Sequence, residues 1–485
     1  MDFRERLTPT NLKDCFIIEP KRFGDERGYF ESITKEDLRS IGFKEIHQIS
    51  NSLSSKGIFR GLHYQKNPYC QAKVVRCHRG AVLDIVVDIR QDSDTYGKYT
   101  AVELTPENGR ALYVPRGFAH GFLALEDDSL FEYYVDNKYM PRLEGGIAYD
   151  DSEIGIDFTY IKRKYNISEI KLSEKDKNRI SLKDCEDIFY RRPRRFLITG
   201  YKGQLGFDIA RELKERGEEQ VLAIDKEEMD ITDRDQVFRV IGNFKPDVIF
   251  HCAAWTQVDK AEDMYDVVHK INALGTKYIT EASIEVGAKI FYMSTDYVFD
   301  GKLPLDKCYT ETDPVYPMNV YGGTKFLGEQ EVLQNPKHFI TRISWVFGIN
   351  GNNFVKTMLR LGSFKQSLLV VKDQIGSPTY TVDLAKLLVE MSFTEKYGLY
   401  HVNNDGYCSW AEFADFIMKY AGYPCEIRPV STEYYIEATN TKQAYRPRNS
   451  KLSKAKLVES GFQMLPSWQD ATIRFCEELK NQIKP

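Results

Sequence analysis

Residues 193–206 read Pro-Arg-Arg-Phe-Leu-Ile-Thr-Gly-Tyr-Lys-Gly-Gln-Leu-Gly. An apolar run, Phe196 to Ile198, leads into Thr199, and glycines follow at 200, 203 and 206. The segment after them, from Asp208 to Gly217, has helical periodicity. Strand, glycine turn and helix in that order predict the opening of a dinucleotide-binding α/β unit. The glycines let backbone approach a pyrophosphate, which is favoured at a helix N-terminus by free amides and the helix dipole. Such a unit begins at its first strand, so the residues ahead of 193 need an account of their own.

The chain has 485 residues, enough for about three domains or two larger ones at a prior of roughly 150 residues each. At 42% apolar and 28% charged residues it has an ordinary globular composition. The 67 basic and 71 acidic side chains leave a net charge of -4, so no nucleic-acid or membrane surface is expected. No apolar run approaches the roughly 18–20 residues of a membrane span. The opening Asp2-Phe3-Arg4-Glu5-Arg6 lacks the apolar centre of a signal peptide. Nine scattered cysteines without a CxxC pair predict reduced thiols and a cytoplasmic protein.

Before about residue 185 the pattern is period two with frequent turns. Segments 81–89, 101–104, 111–114 and 129–135 are strand-like, punctuated by Arg79-Gly80, Tyr96-Gly97, Asn108-Gly109 and Pro115-Arg116-Gly117. An all-β sandwich or barrel is expected over residues 1–185. His47, His63, His78 and His120 lie here. Leu62 and Tyr64 flank His63, which departs from the two closely spaced histidines of metal-binding cupins, and no metal ligand is assigned.

Within this half, FGDERGYF (23–30), IFRGLHYQ (58–65), Lys73, PRGFAHGF (115–122), Tyr133, Tyr139-Met140-Pro141 and Leu172-Ser173-Glu174-Lys175-Asp176 occur in order. Together they resemble the dTDP-4-dehydrorhamnose 3,5-epimerases, a family of metal-free cupin jelly rolls. The resemblance implies a base at His63, oriented by Asp176, with Tyr133 as the acid and Lys73 stabilising an enolate oxygen. It implies substrate contacts from Arg27, Gln48, Arg60, His120, Glu144 and Lys175, and stacking of Tyr139 on thymine. One departure stands out: the family's glutamate five residues after the arginine falls on Ser32 here, beside Glu31.

The charged stretch 184–195, containing Pro193, reads as a linker. From 194 to 485, apolar segments at 196–200, 221–225, 247–253, 289–295 and 338–344 alternate with helical patterns. A parallel sheet buried on both faces is expected, a Rossmann fold. The GxxGxxG spacing resembles the short-chain dehydrogenase/reductase superfamily. Asp225 ends the second segment, where an acid meets the cofactor ribose. It favours NADH, while Lys226 beside it tolerates the extra phosphate of NADPH. Tyr321 and Lys325, at i and i+4, share one helix face. A nearby ammonium would draw the phenol below its usual pKa of about 10, readying it to protonate an alkoxide. Tyr69/Lys73, Tyr134/Lys138 and Tyr160/Lys164 have the same spacing. Tyr321 is singled out because it follows STDYVFDG (294–301), where Thr295 ends a strand segment.

Further strings, HCAAWTQVDKAE (251–262), YTETDPVYPMNVYGGTK (309–325), RISWVFG (342–348), QIGSPTYTVDLA (374–385) and YRPRNSKL (445–452), resemble dTDP-4-dehydrorhamnose reductases. That resemblance implies a cofactor lining of Gly200, Gly203, Gln204, Leu205, Gly206, Asp225, Asp230, Ile231, Ala253, Ala254 and Trp255, besides Tyr321 and Lys325. It places Thr295, Asp296 and Trp345 against the sugar nucleotide, and has the part from about Tyr397 close over substrate. Members are often homodimers and some use Mg2+, for which no ligands are identifiable here.

The combined expectation is a fused enzyme acting on a dTDP-sugar, first as epimerase and then as NAD(P)H-dependent reductase. The residues leave open a related enzyme making another 6-deoxyhexose, and a non-catalytic NADP-sensing scaffold.

Overall fold

The computed structural model describes residues 3–187, 189, 193–218 and 220–483, with side chains to Asn481. Four residues of the expected linker, 188 and 190–192, lie outside the described residues. Two compact units divide at Arg192/Pro193.

The first unit is two antiparallel sheets. One has six strands in the order Leu7–Pro9, Phe16–Ile18, Ala111–Val114, Lys73–Arg79, Ser129–Val135, Gln48–Ser54. The other has five: Glu144–Gly146, Phe59–Gln65, Phe118–Ala124, Val82–Asp88, Tyr99–Leu104. Strand alternation sends Val75, Cys77, Val86, Phe122 and Phe131 into one core. A second core, including Phe59, Ile85, Val87 and Leu123, is closed by Ile154, Ile161 and Leu182 from the later segments. The motif strands Phe59–Gln65 and Phe118–Ala124 are neighbours, with His63 opposite His120 and a register shift just beyond it.

The second unit has a six-stranded parallel sheet ordered Val221–Ile224, Phe196–Thr199, Val248–His251, Lys289–Thr295, His338–Ile343, Gly398–His401. Its strands are nearly all buried, as continuous apolar runs require. Chain order reverses at Phe196–Thr199, and ligands bind such sheets outside the carboxyl ends at that switch point. The sixth strand departs from the expected division, because Gly398–His401 joins the sheet rather than the closing region. Much of the rest of that region packs with residues from 347–380 in a smaller lobe whose core includes Phe347, Val355, Phe413, Ile417, Trp468 and Phe475. Among the described residues, no helix is long and apolar enough to cross a membrane.

Candidate active sites

The first unit holds a pocket of about 650 Å3 lined by His63, Lys73, His120, Tyr133, Glu144 and Asp176, among others. Asp176 lies on a single helical turn, Glu174–Lys177, whose cap Ser173 accepts the Asp176 amide. This turn brings Asp176 Oδ1 to 2.5 Å from His63 Nε2, across 113 residues of sequence. Burial pushes the Asp176 carboxyl up, but the hydrogen bond and charge of His63, aided by Ser173 and Arg179, hold it below the usual carboxylate range. Burial pushes the Lys73 ammonium down to about 8, opposed by Asp84 and Glu144.

Glu144 is a second anchor. Burial raises it, yet contacts from Lys175 Nζ (2.6 Å), the Tyr139 hydroxyl (2.7 Å) and Arg179 (2.8 Å) bring it to about 2. Arg60 and Gln48 also line the pocket. Their side chains donate to Ser54 and Ser50 respectively.

Arg27 does not join them. It sits on a hairpin, Phe23–Asp25 with Gly28–Phe30, whose two strands, among the described residues, pair only with each other. Its side chain is 85% exposed and bound to Asp25. The neighbouring acid has a structural partner set: Glu31 is clasped by Arg22 and Arg76 and is absent from the pocket lining. Asp84 was missed by sequence reasoning. Its Oδ1 lies 2.8 Å from His120 Nε2, and the residue is fully buried. Its signal was a lone acid within the otherwise apolar 81–87 run.

The second unit holds a cleft of about 1100 Å3 at the carboxyl ends of the sheet. Gly200, Gly203, Gln204, Leu205 and Gly206 line it, with Asp225, Asp230, Ile231, Ala253 and Ala254. The helix Gln204–Glu215 starts from Gly203. A Cβ on Gly206 would come within 2.4 Å of the Gly200 carbonyl, and one on Gly200 within 2.7 Å of the Ala253 amide. The glycines therefore let the turn close tightly on itself and on the Ala253 backbone, and the turn lines the cleft without side chains at 200, 203 and 206, a cradle that fits a dinucleotide pyrophosphate. Asp225 accepts the amides of Lys202 (3.2 Å) and Lys226 (2.8 Å). Trp255 departs from expectation: it is absent from the lining, its amide donating to Asn272 and its indole to the Gln257 carbonyl.

Tyr321 and Lys325 lie on the helix Val320–Val332 and face this cleft with Thr295, Asp296 and Trp345. None of the three other Tyr/Lys pairs of that spacing has both partners in the lining of either of these two pockets. Burial raises the Tyr321 phenol, Asp296 adds to it, and only the Thr295 hydroxyl pulls the other way. Lys325 is pushed down to about 7 by burial and rests 4.1 Å from the Tyr292 ring centroid. The expected pull of the ammonium on the phenol is therefore not what sets the Tyr321 ionisation: burial dominates at both groups and moves the phenol up and the ammonium down. Burial also lifts Asp296 to about 6, against hydrogen bonds from Ser450 and Thr295.

Among the described residues, no three His, Cys, Asp or Glu side chains cluster as a metal site.

A glycine turn, an acid ending the next strand and a Tyr/Lys helix over one cleft define a dinucleotide-binding protein of the Rossmann type. Residues 194–481 match the family described as the RmlD substrate binding domain, and the chain belongs to that family. Residues 9–184 match the dTDP-4-dehydrorhamnose 3,5-epimerase family, which makes the chain an epimerase–reductase fusion. It is 43% identical over 286 residues to dTDP-4-dehydrorhamnose reductase of Aggregatibacter actinomycetemcomitans, covering 57% of this chain and 96% of that one. It is 42% identical over 283 residues to the spore coat polysaccharide biosynthesis protein SpsK of Bacillus subtilis, covering 58% and 96%. Among solved structures, dTDP-4-dehydrorhamnose reductase from Bacillus anthracis, in complex with NADP, is 44% identical with a TM-score of 0.56, covering 59% of this chain and all of that one.

Proposed function

We propose that this chain performs two consecutive steps of dTDP-L-rhamnose formation. The first unit epimerises dTDP-4-dehydro-6-deoxy-D-glucose at carbons 3 and 5, and the second reduces the carbon 4 ketone. The observation that carries this reading is that each unit gathers its own reacting set into its own pocket: His63, Asp176, Lys73 and Tyr133 in one, Thr295, Tyr321 and Lys325 in the other.

In the first pocket His63 takes the proton made acidic by the neighbouring ketone. Asp176 fixes its ring and favours the imidazolium that forms. Lys73 donates to the enolate oxygen, and its buried setting strengthens that contact. Tyr133 returns a proton. Arg60, Gln48, His120, Glu144, Lys175 and Tyr139 hold the sugar nucleotide. We read this unit, residues 1–185, as a cupin jelly roll, and its two antiparallel sheets support that reading.

In the second unit, residues 194–485, the glycine turn, Asp225, Asp230 and Lys325 hold the dinucleotide. When bound, NAD(P)H supplies a hydride. Thr295 and Tyr321 hydrogen-bond the ketone oxygen, and Tyr321 delivers the proton that completes the alcohol. Either NADPH or NADH is accommodated. Asp225 suits a ribose hydroxyl, while Lys226 beside it and the NADP-bound relative support NADPH. Magnesium is assigned no residue. We also read the protein as a cytoplasmic homo-oligomer: all nine cysteines are free, and Phe23, Tyr29, Phe30, Ile49 and Leu53 are exposed.

The test is incubation with the dTDP-keto sugar in D2O, followed by NADPH or NADH, with NMR of the product. Deuterium at carbons 3 and 5 and then dTDP-L-rhamnose are expected. Exchange at one carbon alone, or another 6-deoxyhexose, would replace this assignment.

A further inference from the structure

Trp345 leaves the carboxyl end of strand His338–Ile343 with φ at +49°, a left-handed backbone that bulky residues rarely adopt. Its carbonyl accepts the Thr379 amide at 3.1 Å, which pins the backbone but not the ring. The ring is held by Trp410. The two indoles lie nearly parallel, 14° apart, with ring centroids at 3.7 Å. Gly376 closes on the same indole: a Cβ there would sit 2.7 Å from Trp345 Cε2.

Trp410 is itself fixed. It opens the helix Trp410–Ala421 behind a reciprocal cap between Ser409 and Glu412. Phe354 packs against it at 4.5 Å. The short strands Ile375–Gly376 and Cys408–Ser409 pair with each other, so Gly376 and Trp410 reach Trp345 from one framework in the smaller lobe. Both indoles line the cleft that also holds Thr295, Asp296 and Tyr321.

We infer that Trp410 is a positioning residue for the reductase reaction, clamping the Trp345 indole at the wall where the sugar nucleotide binds. A strained residue at a cleft stays in place only where its surroundings over-determine it. Here the stacked indole and the bare Gly376 backbone do so. Trp410 thereby sets the distance between that wall and the Tyr321 phenol. The inference rests on the reductase reading above.

The test uses the full chain. A stacked indole pair gives an exciton couplet in circular dichroism, expected in the unsubstituted protein and lost in both Trp345→Phe and Trp410→Phe. Trp410→Ala is expected to raise the KM for the keto sugar about tenfold or more, with NADPH binding and carbon 3/5 exchange unchanged. Trp410→Phe restores KM to within about threefold, because a stacked ring remains. Trp345→Ala/Trp410→Ala is no worse than Trp345→Ala alone, since the second residue acts through the first. If Trp410→Ala fails to bind NADPH, Trp410→Leu carries the same comparison with less lost volume. An unchanged keto-sugar KM in the non-aromatic variant, additive losses in the double variant, or no couplet in the unsubstituted protein would each overturn the clamp. Absence of keto-sugar reduction by the unsubstituted protein would instead overturn the reductase reading, while the couplet still reports the stack.

Discussion

At the residue scale, the His63–Asp176 contact and the buried Lys325 carry the sharpest consequences. His63→Ala should slow deuterium exchange at carbons 3 and 5 by about 10²–10⁴, the usual worth of a positioned base, and leave reduction of a supplied 4-keto sugar untouched. Exchange at the unsubstituted rate would remove His63 from the mechanism. Lys325 makes a pH prediction. Its folded pKa is near 7, below the unperturbed 10.5, so between those values the unfolded chain binds the extra proton. Stability contributed by this site therefore rises as pH increases from 7 to 10.5. Lys325→Met should lose that rise, melt higher than the unsubstituted protein at pH 7, and lose ketone reduction. Melting curves across that pH range, subtracted from those of the unsubstituted protein, check it.

At the element scale, the helix Val320–Val332 is where propensity and position conflict. Its sequence runs Tyr321-Gly322-Gly323-Thr324-Lys325, and two glycines in a first turn weaken a helix. Only one of them is required by the fold. A Cβ on Gly322 would lie 2.2 Å from the Tyr297 carbonyl, whereas Gly323 has nothing within 4 Å. Gly323→Ala should therefore stabilise the protein by about 0.5–1 kcal/mol with activity retained. Gly322→Ala should push the helix off Tyr297 and cut ketone reduction about tenfold or more, because Tyr321 moves with it. The helix start is also tethered: Asn319 accepts the Gly322 amide at 2.7 Å and donates to the Tyr445 carbonyl at 2.9 Å. Asn319→Asp keeps the cap and loses the tether, while Asn319→Ala loses both, at about 1–2 kcal/mol for the cap. Thermal melts of the pair separate the two contributions.

At the scale of the molecule, each unit has apolar core clusters of its own among the described residues. Each should fold and work without its neighbour. Residues 1–192 expressed alone should exchange carbons 3 and 5, and residues 193–485 should reduce a supplied 4-keto sugar, each with its own cooperative melt. An insoluble fragment, or one lacking its half-reaction, would mean that the units depend on each other.

Much of this was legible in the chain. The glycine turn, the buried parallel strands and the Tyr/Lys pair depend on neighbours a few residues apart, and local backbone sterics and side-chain periodicity encode such relations directly. The RGLHYQ and PRGFAHGF strings likewise located the first pocket. Distance along the chain hid the rest. No spacing pairs His63 with Asp176, or sets Asp84 behind His120. None stacks Trp410 on Trp345, turns Arg27 away on its hairpin or adds Gly398–His401 to the sheet. Nor does residue type alone give the ionisation of Tyr321 and Lys325. Those depend on how much water the surrounding elements exclude, which exists only once the chain has folded.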